Sequence, residues 1–118
     1  MTSPARTPVR LTVAQAVLTY LSRQYSVADG ERRRLVPATL GIFGHGNVAG
    51  IGEALYAMGD AFPTWRAHNE QAMAHAANAF AKAHARRRMM ACTTSIGPGA
   101  SNMVTAAALA HVNRLPVL

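Results

Sequence analysis

Glu70 is one of only five acidic residues in a chain of 118, and it opens a segment of small apolar residues that includes Met73, Ala74 and Ala76. A carboxyl in such surroundings has its proton affinity raised by desolvation, which suits proton transfer near neutral pH. Directly after Asn69, the same position also suits a carboxylate that faces water and complements the positive end of a helix. Spacing alone leaves both readings open. Two glycine-bearing segments, Gly44-His45-Gly46-Asn47 and Gly97-Pro98-Gly99, each follow an apolar run and precede a helical pattern. Glycine there permits a tight turn or a close approach of backbone to a ligand.

Several chemistries are disfavoured by the same residues. Gly44-x-Gly46-x-x-x-Gly50 is one residue too long for the dinucleotide fingerprint, and no acid ends the next strand. No Gly-Lys-Ser/Thr follows Gly97, so the turn is not a Walker loop, and no Gly-x-Ser-x-Gly elbow exists. His45, His68, His75, His84 and His111 form no His-Glu-x-x-His pair, and Cys92 has no cysteine partner. No metal site is therefore expected in this chain. Cys92 reads as a small buried hydrophobe.

The elements that must position these residues follow from periodicity. Thr12 is a plausible N-cap, and Val13, Ala16, Val17, Tyr20 and Leu21 predict one apolar helical face. Gln24 to Leu35 is polar, contains Asp29-Gly30 and reads as a surface excursion. Thr39 to Phe43 predicts a strand, Val48 to Met58 a helix with Ile51, Leu55 and Met58 inward, and Pro63 to Ala67 a weaker strand. Asn69 caps a helix running to about His84, striped by Met73, Ala76, Ala77, Phe80 and Ala81. Met89 to Thr93 predicts a strand, Pro98 or Ala100 to Val112 a helix, and Pro116 to Leu118 the start of a fourth strand. Strands alternating with helices imply an α/β fold, a three-layer parallel sheet with helices on both faces and both strand faces buried. Ligands of such sheets gather at the carboxyl ends of the strands, where Gly44–Asn47, His68–Gln71 and Thr93–Gly99 all fall.

Composition narrows the class. Half of the residues are hydrophobic and 14% are charged, which excludes a disordered chain. A core of Ala and Met buries little area per residue, so the chain is poorly equipped to stand alone, and the strand just begun at Pro116 to Leu118 makes it the expected front part of a longer polypeptide. Residues 1–10 read as a flexible lead-in and 11–118 as the domain. No apolar run approaches the ~20 residues of a membrane span. Met1 to Arg6 do not form a secretory signal, and a single cysteine suits the cytoplasm. The net charge of +7 raises nucleic acid as a partner. Half of the cations sit in Arg32-Arg33-Arg34 and Arg86-Arg87-Arg88, without interleaved aromatics, and read instead as solvated loop charge.

Taken together, Asn69 to Ala77 and Cys92 to Asn102 resemble the pyrimidine-binding domain of thiamine diphosphate enzymes of the acetohydroxyacid synthase-like group. Within it, Gly41-Ile42-Phe43-Gly44-His45-Gly46-Asn47 is similar to the trihydroxycyclohexanedione hydrolases of myo-inositol breakdown. Arg10 to Ala16 and Asn113 to Leu118 agree with it. The resemblance implies thiamine diphosphate as cofactor, with Glu70 as the glutamate that hydrogen-bonds N1′ of the aminopyrimidine and promotes loss of the thiazolium C2 proton. It implies hydrolytic C–C cleavage of a cyclic diketone to a deoxyhexuronic acid. Gly46 and Asn47 would border the cofactor. His45 and Gln71 would meet the substrate, and Gly97, Pro98 and Gly99 would shape the pocket wall. The magnesium and diphosphate site would lie on a separate domain, in a cytoplasmic homo-oligomer, dimer or tetramer. Ala72 and Ala79 stand where many relatives carry glycine. The alternatives are an acetolactate synthase-like carboligase or decarboxylase using the same glutamate, and a truncated non-catalytic α/β binding module.

Overall fold

The computed structural model describes residues 7–118. Most of the expected lead-in, residues 1–6, lies outside the described residues, and 7–10 are exposed and irregular. Helix α1 (Val13–Ser22) starts where expected, closed by a capping box. The Thr12 hydroxyl accepts the Gln15 backbone N–H at 3.2 Å, and the Gln15 side chain accepts the Thr12 N–H at 2.9 Å. Its inward face differs from the expected one. Leu18 is buried with Ala14 and Leu21 packed beside it, whereas Val13, Ala16, Val17 and Tyr20 face outward. The helix is apolar nearly all round, so periodicity could not say which side meets the sheet.

The polar stretch after α1 is a hairpin rather than a loose excursion. Strands β1 (Tyr25–Ala28) and β2 (Glu31–Arg34) pair antiparallel through a two-residue turn at Asp29 and Gly30, both with positive φ. Asp-Gly is the pairing that favours this mirror-image turn. The hairpin lies on the surface, so β2 carries no apolar residue and Tyr25 and Val27 of β1 are exposed. It brings the two arginine triplets together: Arg88 Nε donates to the Arg34 carbonyl at 3.1 Å, and Arg87 pairs with Asp29 at 2.6 Å. These arginines are thus partly occupied with the fold.

The main sheet holds β3 (Thr39–Ile42) in the centre, with β4 (Thr64–Arg66) and β5 (Ala91–Thr94) parallel on either side. The α/β class with a parallel sheet is the architecture expected. Two apolar clusters lie on the two faces. One holds Leu18, Val36, Leu55, Phe62 and Ala91, and the other Ala38, Ala77 and Met90, with Leu40 and Cys92 packed against it. Consecutive residues Ala91 and Cys92 join opposite clusters, as strand alternation requires. Burial of both strand faces does not extend to β4, all of whose residues are exposed, including Trp65. It is an edge strand. Burial pushes the Cys92 thiol up to about 11, so it is protonated at neutral pH.

The segment after β3 is less regular than a single helix from Val48. A short α2 (His45–Asn47) passes through a π-helical turn, Val48–Gly52, into α3 (Glu53–Met58). Gly50 and Gly52 weaken helix propensity there. Helix α4 (Glu70–Ala83) buries Met73, Ala74, Ala77, Asn78 and Ala81, while Ala76 is exposed. Asn78 Nδ2 donates to the Ala106 carbonyl at 2.8 Å, fastening α4 to α6 (Val104–Val112). The expected helix 98–112 is divided at Met103, between α5 (Pro98–Asn102) and α6. Pro116–Leu118 is not a full strand, yet Leu118 exchanges backbone hydrogen bonds with Cys92 at 2.7 Å and Met90 at 3.1 Å, next to β5. Among the described residues no helix is long and apolar enough to cross a membrane.

Candidate functional site

The site is built at the carboxyl end of the sheet. Glu70 is the first residue of α4, and Asn69 caps that helix by accepting the Ala72 N–H at 3.0 Å. The cap fixes where the helix begins, and therefore where the carboxyl projects. The Glu70 side chain is half-buried and turned toward the start of α5. Its Oε2 accepts a hydrogen bond from Asn102 Nδ2 at 2.9 Å. Its Oε1 faces Gly99, where an added Cβ would approach it to 3.3 Å.

The electrostatics reverse one expectation. The Asn102 amide, assisted by Glu70's own backbone N–H, holds the carboxyl below its ordinary value, and burial opposes this less strongly. The expected rise by desolvation does not occur in this chain, because a donor to the ionised form outweighs partial burial. Stability from this contact is complete above the ordinary carboxylate pKa and is lost as the pH falls through the lowered one.

Glycine has a steric role at two places. Gly99 is buried, and a Cβ there would lie 2.4 Å from Ser95 Oγ and 2.6 Å from Thr94 Oγ1. A Cβ on Gly44 would lie 2.6 Å from Ser95 Cβ, so the turns after β3 and β5 are in direct contact. Gly97 instead is exposed and uses its freedom for φ +65°. Pro98 follows as the first residue of α5, where its missing N–H costs nothing.

Asn47 bolts the first turn to the third. Its Oδ1 accepts the Gly44 N–H at 2.8 Å, and its Nδ2 donates to Thr93 Oγ1 and the Thr94 carbonyl, each at 3.0 Å. Its amide is thus committed to the protein. Asn47→Ala is expected to destabilise the fold by about 2 kcal/mol, since it strands a backbone donor and a backbone acceptor. Asn47→Asp is expected to cost as much, because it sets a carboxylate oxygen against the Thr94 carbonyl. Urea unfolding of the two variants measures both losses, and a neutral Asn47→Asp would contradict this bonding pattern.

The other sequence-predicted residues are less engaged. His45 and Gly46 are exposed, Gln71 is half-buried, and none of the three donates or accepts a side-chain hydrogen bond to the Glu70 group. Gly46 and Asn47 also border a groove of about 650 Å³ against Val13 and Val17 of α1, with Ile51 and Glu53 on its wall. Asn102 was not singled out from sequence. The available signal was a polar side chain inside an otherwise small and apolar helix. Thr94 Oγ1, beneath Gly99, is buried without a hydrogen-bond partner among the described residues. Also among the described residues, no three His, Cys, Asp or Glu side chains group into a metal site.

The site thus sets an acid at the mouth of a parallel sheet, beside a Gly-Pro-Gly turn. The family described as thiamine pyrophosphate enzyme, N-terminal TPP binding domain, matches residues 36–118. The chain belongs to this family. Its thiamine pyrophosphate-binding domain is similar to 3D-(3,5/4)-trihydroxycyclohexane-1,2-dione hydrolase 2 of Bacillus cereus, with 48% identity over 93% of this chain. The trihydroxycyclohexane-1,2-dione hydrolases of Bacillus anthracis and Bacillus thuringiensis match over the same share at 48% and 47%. The chain spans 17% of the length of each of these curated relatives.

Proposed function

We propose that this thiamine pyrophosphate-binding domain presents Glu70 to the aminopyrimidine of the cofactor, in an enzyme that opens a cyclic 1,2-diketone by hydrolytic C–C cleavage. One observation carries the proposal. The Glu70 carboxyl sits at the carboxyl end of a parallel sheet with one oxygen held by Asn102 and the other turned to a wall of bare glycine. Such a carboxyl fits a flat nitrogen heterocycle. It can exchange a proton with a ring nitrogen, and the missing Cβ at position 99 lets the start of α5 close onto Thr94 and Ser95 beside it.

Thiamine pyrophosphate, when bound, supplies the carbon nucleophile and the electron sink that C–C cleavage needs. Glu70 holds a proton at N1′ of the aminopyrimidine. Gly97, Pro98 and Gly99 shape the wall beside it. Asn47 keeps the first turn against β5, so that Gly46 offers bare backbone and His45 and Gln71 are free to meet the substrate. Magnesium and the diphosphate fall to residues outside this chain. The 48% identity to trihydroxycyclohexane-1,2-dione hydrolases supports the same substrate class here, a ring diketone of inositol breakdown opened to a deoxyhexuronic acid. The outward apolar stripe of Val13, Val17 and Tyr20 supports a homo-oligomer, dimer or tetramer, and the lone cysteine supports the cytoplasm.

The complete polypeptide, supplied with thiamine pyrophosphate and magnesium, is expected to consume the cyclic diketone and release the ring-opened acid. Formation of acetolactate from pyruvate instead would replace this proposal with a carboligase using the same glutamate. Turnover of neither substrate by soluble, cofactor-loaded protein would favour a non-catalytic module.

A further inference from the structure

We propose that Asn102 is a positioning residue, whose side-chain amide fixes one oxygen of the Glu70 carboxyl and thereby aims the other, a role that rests on the glutamate chemistry proposed above. The contact spans 32 residues of sequence and joins the last residue of α5 to the first of α4 at 2.9 Å. The amide orientation is forced, since an ionised carboxylate only accepts and must meet the NH₂ group.

A capping role would leave a different pattern. An asparagine at a helix end commonly bonds its own backbone. Here the turn closes without it, through the Met103 N–H to the Ala100 carbonyl at 3.1 Å and the Ser101 N–H to the Gly97 carbonyl at 2.8 Å. The side chain is left for Glu70. Its support is stiff, because Gly97 turns the chain, Pro98 fixes the first φ of α5, and Gly99 lies against Thr94 and Ser95. Asn78 holds α6, which follows directly, against α4. Donor and acceptor therefore sit on elements locked to each other, as a preorganised site requires.

Among the described residues, Glu70 has no charged partner to compete with the amide. Around it stand Gly99 and Asn102 of α5 and Thr94 and Ser95 at the end of β5, all uncharged. Neither ion pair among the described residues includes it. His68, two residues upstream, is exposed. The lowered proton affinity of Glu70 has the Asn102 bond as its leading cause. Removing the donor raises that affinity, and a carboxylate in its place raises it further, because two like charges then share the site.

The test uses the complete polypeptide in three forms, Asn102→Ala, Asn102→Asp and Glu70→Gln. The Glu70 carboxyl is titrated by carbon-13 NMR in the absence of cofactor, its signal assigned by its loss in Glu70→Gln. The acidic limb of the kcat/KM profile is measured in parallel. The expected result is an upward shift of both in Asn102→Ala, a larger one in Asn102→Asp, and a loss of kcat of about tenfold or more. Unchanged titration and an unchanged acidic limb in both variants would overturn the positioning role. Should Asn102→Ala fail to fold, the isosteric Asn102→Asp decides alone. The two proposals fail separately. An active Glu70→Gln enzyme ends the glutamate chemistry while the NMR shift still reports the contact. An inactive Glu70→Gln with unshifted Asn102 variants ends the positioning role only.

Discussion

On the chemistry proposed above, Glu70→Gln in the complete polypeptide is expected to lower kcat/KM for the cyclic diketone by about 1000-fold or more, the scale of a lost proton-transfer group. The substitution removes little else. Glutamine has the same shape, and its amide oxygen can still accept the Asn102 donor that Glu70 Oε2 now accepts at 2.9 Å. What it cannot do is hold and return a proton at a ring nitrogen. The loss should therefore appear in turnover with little change in melting temperature. Both are measured on one preparation, by release of the ring-opened acid and by thermal unfolding. Activity within tenfold of the parent would remove Glu70 from the chemistry.

Gly99→Ala is the second large effect expected. The new Cβ would lie 2.4 Å from Ser95 Oγ, 2.6 Å from Thr94 Oγ1 and 3.3 Å from Glu70 Oε1. The serine hydroxyl can rotate away. Thr94 is β-branched, with a buried Oγ1, so rotation only exchanges the hydroxyl for a methyl. The start of α5 must then move, and Asn102 at its other end moves with it. Overpacking of this kind costs about 1–3 kcal/mol. The displaced carboxyl should cost a further factor of about 100 in kcat/KM, as misplacement by about 1 Å can. Gly30→Ala, in the turn between β1 and β2, is the control, because its Cβ meets open space and only the φ of +79° is strained. It should lose comparable stability and far less activity. Equal activity in the two variants would show that the Gly99 wall does not position the carboxyl.

The sequence carried the fold class through the order of its elements. Apolar runs ending at Gly44 and Thr94 and the capped helix at Asn69 are local signals, and the parallel sheet follows from their alternation. Errors came where local pattern was silent. The hairpin at Asp29-Gly30 has one wholly polar strand, Glu31–Arg34, because it packs on the surface. The exposed side of α1 could not be chosen, because Val13, Val17 and Tyr20 are as apolar as Ala14, Leu18 and Leu21. The π-helical turn at Val48–Gly52 and the break at Met103 depend on how neighbouring elements pack.

By itself the sequence determined which residues stand at the strand ends, because glycine, proline, asparagine and the rare acid mark their own turns and caps. Only the tertiary structure decided what those residues meet. Asn47 spends its amide on β5, and Asn102 crosses 32 positions to reach Glu70. Burial did not raise the Glu70 proton affinity, because the nearby amide stabilises the charged form more than partial burial penalises it. The proton affinity of a carboxyl is set by the atoms within a few ångströms of it, and folding brings those together from distant parts of the chain.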